Sequence, residues 1–158
     1  MPILYILCGL PFSGKSLLSK EIEKRTSIKR VSFDDLWTII SKSNKISPYK
    51  ITLQEVEKIL IENLSNKISI VYDSPSLKLE QRSKLKSLAE KFGAQFKVIY
   101  LPVSIDEVHK RRALSLKDKT HHIVKDTDFD RALKQLEPPT DSIIISNDQE
   151  KEDFIKNL

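Results

Sequence analysis

Short apolar runs rich in β-formers alternate along this chain with stretches of helical spacing, and that alternation predicts an α/β domain with a mostly parallel sheet. The first run is Ile3 to Cys8, and a shorter one covers Lys29 to Phe33 and ends in Asp34-Asp35. The third, Ile68 to Tyr72, ends in Asp73; the fourth, Gln95 to Leu101, is halted by Pro102; the fifth, Ser142 to Ile145, follows Pro138-Pro139. Between them, Leu17 to Lys24 has one apolar and one charged edge, Leu36 to Ile40 reads as helical, and Leu53, Val56, Ile59, Leu60 and Leu64 recur at helical spacing. So do Leu85, Leu88, Ala89 and Phe92, which stop at Gly93, a C-capping position. A short helix starts at Ile105 and Val108, with Ser104 and Glu107 spaced for its first turn, and a last helix covers Gln149 to Asn157. Ser41 to Pro48 reads as a flexible connection, and Ser115 to Asp128 as a basic, polar loop without periodicity.

Composition narrows the class. A chain of 158 residues, 39% hydrophobic and 31% charged, is expected to form one soluble globular domain over residues 1–158. A formal charge of +5 suits polyanionic partners: nucleotides first, nucleic acid as a candidate. The single cysteine, Cys8, excludes an internal disulfide, gives no zinc pattern, and is expected to pack as a small hydrophobe. No run reaches membrane-spanning length, and the apolar N-terminus lacks a basic flank, which points to the cytoplasm with no membrane partner. Nothing in the composition indicates the oligomeric state.

Gly9-Leu10-Pro11-Phe12-Ser13-Gly14-Lys15-Ser16 fits the phosphate-loop pattern G-x-x-x-x-G-K-S/T, between a strand and a helix as the chemistry requires. Gly9 and Gly14 let backbone N–H groups curl inward around phosphate oxygens, and the following helix N-terminus faces the same anion. Lys15 supplies a cation for the β- and γ-phosphates, and the Ser16 hydroxyl a ligand for Mg²⁺. Gly9, Pro11, Phe12, Ser13, Gly14, Lys15, Ser16 and Leu17 therefore form the expected ATP-contacting set.

In open parallel sheets ligands gather at the carboxyl ends of strands, where the loop, Asp34-Asp35 and Asp73 converge. Asp73 has the place of a Walker B carboxylate, able to hold Mg²⁺ or to cap the turn that follows. Of Asp34 and Asp35 one can cap a helix while the other faces the site; Asp34 is the candidate general base toward a hydroxyl. His109-Lys110-Arg111-Arg112 ends the short helix as a solvated face or begins a mobile lid over 111–128, in which Arg111 or Arg112 covers the transferred phosphate. His121-His122 is expected to be lid surface, and Phe33, Trp37 and Tyr49 either line an acceptor pocket or pack as core.

These motifs together resemble the small P-loop kinases that include the kinase domain of phage polynucleotide kinase. The loop is similar to their G-x-P-x-S-G-K-S/T, and Asp73-Ser74-Pro75-Ser76-Leu77, Arg82 and Leu88 to Ala94 to their D-A/T-T/N-x-L…R…LA…GA segment. Asp106 to Arg111 resembles the approach to their lid arginine, and Leu136-Glu137-Pro138-Pro139 their F-E-x-P, which can border the adenine. The resemblance implies a P-loop NTPase three-layer sandwich with a five-stranded parallel sheet of order 2-3-1-4-5, like nucleoside-monophosphate kinases. It also implies ATP and Mg²⁺ as cofactors, Asp34 as general base and Arg111 as lid arginine. Trp37 departs from the pattern, standing where D-D-x-R has its arginine, and Lys117 replaces a second lid arginine.

The expected activity is transfer of the ATP γ-phosphate to a hydroxyl acceptor, with Lys15, Asp34 and Arg111 catalytic and Ser16 and Asp73 holding the metal. A 5′-hydroxyl polynucleotide leads as acceptor, with a nucleoside, nucleotide or other metabolite behind it. The rival class is a nucleotide-binding switch or RNA-associated ATPase, which needs no acceptor base.

Overall fold

The computed structural model describes residues 1–43, 46–118 and 124–158. Its chain order is β1 (Ile3–Cys8), α1 (Lys15–Arg25), β2 (Lys29–Ser32), α2 (Phe33–Ser41), α3 (Pro48–Ser65), β3 (Ile70–Asp73), α4 (Leu79–Lys91), β4 (Gln95–Tyr100), α5 (Ile105–Asp118), α6 (Asp126–Gln135), β5 (Ile143–Ile144) and α7 (Asp148–Lys156). The five strands form one parallel sheet in the order β2-β3-β1-β4-β5, as the resemblance implies.

The two faces of β1 show why the sheet is a middle layer. Successive strand side chains point to opposite faces. Leu4, Ile6 and Cys8 join Val56, Leu60 and Leu64 of α3 and Ala89 of α4 on one side. Tyr5 and Leu7 join Leu18 and Ile22 of α1 and Ile155 of α7 on the other. Burial on both faces explains the unbroken apolar run. A third, smaller cluster of Leu10, Val108 and Phe129 closes the carboxyl end of the sheet under α5 and α6.

Gly93 (φ +65°) ends α4 in a Schellman arrangement: its N–H donates to Glu90 O at 3.0 Å and that of Ala94 to Ala89 O at 2.9 Å. Two sequence expectations need correction. The helix from Ile105 is not short: it runs to Asp118, so Arg111 and Arg112 lie within it. Ser115 to Asp128 is not loop throughout either, because α6 begins at Asp126. That helix is only ten residues long and very polar. Its apolar positions Phe129, Ala132, Leu133 and Leu136 recur at helical spacing, but they lie beyond the Ser115 to Asp128 stretch read as loop, and they pack beneath α5. The lid expected over 111–128 falls on the end of α5, the start of α6 and residues 119–123. His121 and His122 are among the latter, outside the described residues.

Candidate functional site

The loop between β1 and α1 admits no larger residue at its first glycine. A Cβ on Gly9 would meet Ser13 Oγ at 2.8 Å and the Leu101 carbonyl at 3.0 Å. Gly14 caps α1 at φ +98°, and Phe12 is held at φ +65°, a conformation that costs a non-glycine residue energy. Phe12 is anchored in the third cluster, 6.3 Å from the Phe129 ring.

Lys15 is buried in the first turn of α1. Its Nζ donates to Gly9 O (2.9 Å), Leu10 O (2.7 Å) and Ser13 Oγ (3.3 Å), so the ammonium sits inside the curl of the loop. Burial pulls its pKa down to about 8, while the charges of Asp73 and Asp34 act to raise it. Both carboxylates therefore lie within electrostatic reach of Lys15. Ser16 and Leu17 are exposed beside it, at the helix start where backbone N–H groups lack intrahelical partners.

Asp73 ends β3 with 5% exposure. Its Oδ2 accepts from Ser19 Oγ at 2.9 Å and from Arg30 NH2 at 2.9 Å. Arg30, on β2, also donates from Nε to Ser19 Oγ (2.8 Å) and from NH1 to Asp35 Oδ2 (2.5 Å). One guanidinium thus ties α1, the first turn of α2 and the end of β3 together. Capping of α2 falls to Ser32, whose Oγ accepts from Asp35 N–H at 3.3 Å, so neither aspartate of the pair is the N-cap. Asp34 is exposed on that turn, and its charge reaches both Lys15 and the buried Tyr72.

The structure separates the two arginines of α5. Arg111 donates to the Phe12 carbonyl at 3.1 Å and to Glu107 Oε1 at 2.9 Å, which brings it to the phosphate loop. Arg112 turns to Asp126 and lies 4.6 Å over the Phe129 ring, joining α5 to α6. Arg82, with 4% exposure, donates to Ser76 O (2.9 Å), Leu77 O (2.7 Å), Glu137 O (2.7 Å) and Cys8 Sγ (3.6 Å). Glu137 accepts from Leu79 N–H at 2.7 Å, so this segment caps α4. Phe33, Trp37 and Tyr49 contact one another between α2 and α3.

Sequence reasoning missed Arg30, Ser19 and Ser32. Ser19 lies one turn after Ser16, and the strand β2 carries a lone arginine between its exposed end and Val31. Those were the available signals, but the pairing depends on strand order.

Ser16 and Asp73 offer one hydroxyl and one carboxylate, a donor set that suits a Mg²⁺ keeping its waters and taking phosphate oxygens. Among the described residues no three His, Cys, Asp or Glu side chains gather to hold a metal by themselves, and no helix is long and apolar enough to cross a membrane.

Comparison with known proteins gives three further findings. A family model described as an AAA domain matches residues 4–139. An L-seryl-tRNA(Sec) kinase of Methanococcus maripaludis is 30% identical over 113 residues, covering 69% of this chain but 44% of the relative, so the chain spans less than half that protein's length. The APS kinase of Mycobacterium tuberculosis, solved with AMPPNP and APS, superposes with a TM-score of 0.71 at 14% identity, covering 99% of this chain and 94% of its own. A chain of the Pnkp1/Rnl/Hen1 RNA repair complex gives 0.71 at 22% identity, covering 85% of this chain and 44% of its own.

Proposed function

The chain belongs to the AAA domain family and has the fold of the P-loop kinases, and on that premise we propose that it transfers the γ-phosphate of ATP to a hydroxyl acceptor, with a 5′-hydroxyl polynucleotide end as the first candidate. The observation that carries this reading is positional: the Lys15 ammonium sits inside the loop after β1, Asp34 lies in the first turn of α2 directly after β2, and Asp73 ends β3, whose pairing with β2 sets Ser32 beside Asp73. A nucleotide switch needs the loop and a metal ligand; only a transferase needs a second carboxylate at the acceptor side.

In this reading the loop N–H groups and Lys15 bind the β- and γ-phosphates. Asp34 takes the acceptor hydroxyl's proton as that oxygen bonds to the γ-phosphorus and the bond to the β–γ bridging oxygen breaks, releasing ADP. Arg111 moves from the Phe12 carbonyl to the transferred phosphate, so the end of α5 acts as lid. Mg²⁺, held by Ser16 and by Asp73 through water, would neutralise phosphate charge. The net charge of +5 and the similarity to an L-seryl-tRNA(Sec) kinase support a nucleic-acid acceptor.

The test is transfer of labelled γ-phosphate from ATP to a 5′-hydroxyl oligonucleotide, with Asp34→Asn beside wild type. We expect labelled oligonucleotide from wild type and a loss of about 10²- to 10⁴-fold in the variant with ATP affinity kept. Phosphate released to water at equal rates by both proteins would reject the transferase in favour of a switch.

A further inference from the structure

The aromatic trio beside Asp34 is not explained by phosphate chemistry. Phe33 and Trp37 stack at 14° with centroids 6.4 Å apart, and Tyr49 closes on both, at 5.5 Å from Phe33 and 6.2 Å from Trp37. Phe33 backs onto the main core, but Trp37 and Tyr49 belong to no core cluster, and Tyr49 is 54% exposed. Phe33 adjoins Asp34 at the carboxyl end of β2, Trp37 lies one helical turn beyond it on α2, and Tyr49 meets them from the first turn of α3. Its nearness to the site has an independent sign: Tyr72, the residue before Asp73, feels both Tyr49 and Asp34.

We propose that Phe33, Trp37 and Tyr49 form a stacking platform for the terminal base of a nucleic-acid acceptor, whose hydroxyl then reaches Asp34. This rests on the transferase reading and names its substrate class. Every nucleobase presents a π-face, so aromatic platforms hold bases with little sequence preference. A lone polyol would need many directed hydrogen bonds, and only the Tyr49 hydroxyl and the Trp37 indole N–H carry polar side-chain atoms in the trio. Lys42 at the end of α2 and Lys50 after Tyr49 are both exposed, in keeping with a phosphodiester strand running past.

Trp37 is the chain's one tryptophan, so its fluorescence reports the platform directly. The experiment titrates the full chain with a 5′-hydroxyl oligonucleotide, with the same oligonucleotide abasic at its 5′ residue, with adenosine, and with gluconate. Saturable quenching by the first, weakened about ten-fold or more by the abasic end, is the expected result. Trp37→Leu should raise the oligonucleotide KM by a similar factor at unchanged ATP KM, and Trp37→Phe should restore most of it. Adenosine quenching as tightly as the oligonucleotide would overturn the nucleic-acid acceptor and assign the platform to a free nucleoside. Equal binding of the abasic oligonucleotide, or unmoved fluorescence, overturns the platform, whether or not Trp37→Leu folds. Gluconate phosphorylated in place of oligonucleotide also overturns it while leaving the transferase intact. Quenching without phosphate transfer would do the reverse.

Discussion

Between Gly9 and Ser16 consecutive residues supply the curled backbone, the buried ammonium and the hydroxyl, and one packed cluster anchors them. Beside that loop the pieces come from separate elements: Asp34 and Asp35 from α2, Asp73 from β3 and Arg30 from β2, and an aromatic trio bridges two helices. The nucleotide side is thus a local motif that can be lifted whole from one protein to another. The proposed acceptor side, by contrast, is assembled only once strand order has been decided, from residues of β2, α2 and α3. Relatives with different acceptors in one fold are what such a division produces.

The largest expected effect lies at the arginine that touches the loop. Arg111→Ala should lower kcat about 10³-fold through lost charge stabilisation, with thermal stability nearly unchanged because the side chain is exposed. Arg112→Ala should do the opposite, loosening α6 while sparing most of the rate; equal rate losses in a γ-phosphate transfer assay would refute the assignment. Next comes Arg30→Ala, which strands a carboxylate of 5% exposure with Ser19 as its remaining donor. A loss of about 3 kcal/mol in urea unfolding is expected. Destabilisation below about 0.5 kcal/mol would show that the clamp is not holding the acceptor side together.

The smallest effect concerns Lys15. Below pH 8 it is charged in the folded and the unfolded chain alike, and its burial costs stability in full. Between about 8 and its ordinary value of 10.5 the unfolded chain keeps a proton that the folded chain has lost, so Lys15's contribution to stability rises across that window. Phosphate binding needs the ammonium, so ATP affinity should move the other way, falling toward about ten-fold per pH unit above 8. Calorimetric titration of ATP should show proton uptake there, and Lys15→Arg should flatten the profile. A flat profile in wild type would mean that the ammonium is not buried as described.

The same contrast explains what could be read in advance. The strands, the phosphate loop and Gly93 were legible because each depends on neighbours in sequence: an apolar run, fixed glycine spacing, a helix stop. Asp34's place was legible from the strand end before it, yet the cap of α2 was not, because Ser32 takes that role. Arg30 carries no signal of its pairing in the sequence; only the register of Ser32 with Asp73 brings it between two carboxylates. The helix over Asp126–Gln135 was missed for a different reason: its period is in the sequence, with Phe129, Ala132, Leu133 and Leu136 at helical spacing, but its first turn is acidic and follows a polar stretch that reads as loop.

Arg82 carries a consequence for how the chain is made. Its guanidinium joins Cys8, Ser76-Leu77 and Glu137, contacts separated by up to 74 residues in sequence. During synthesis a chain that has completed β1, β3 and α4 still holds this cation with its carbonyl from Glu137 missing. The knot therefore closes late, after most of the sheet has been translated, and it binds early and late segments into one cooperative unit.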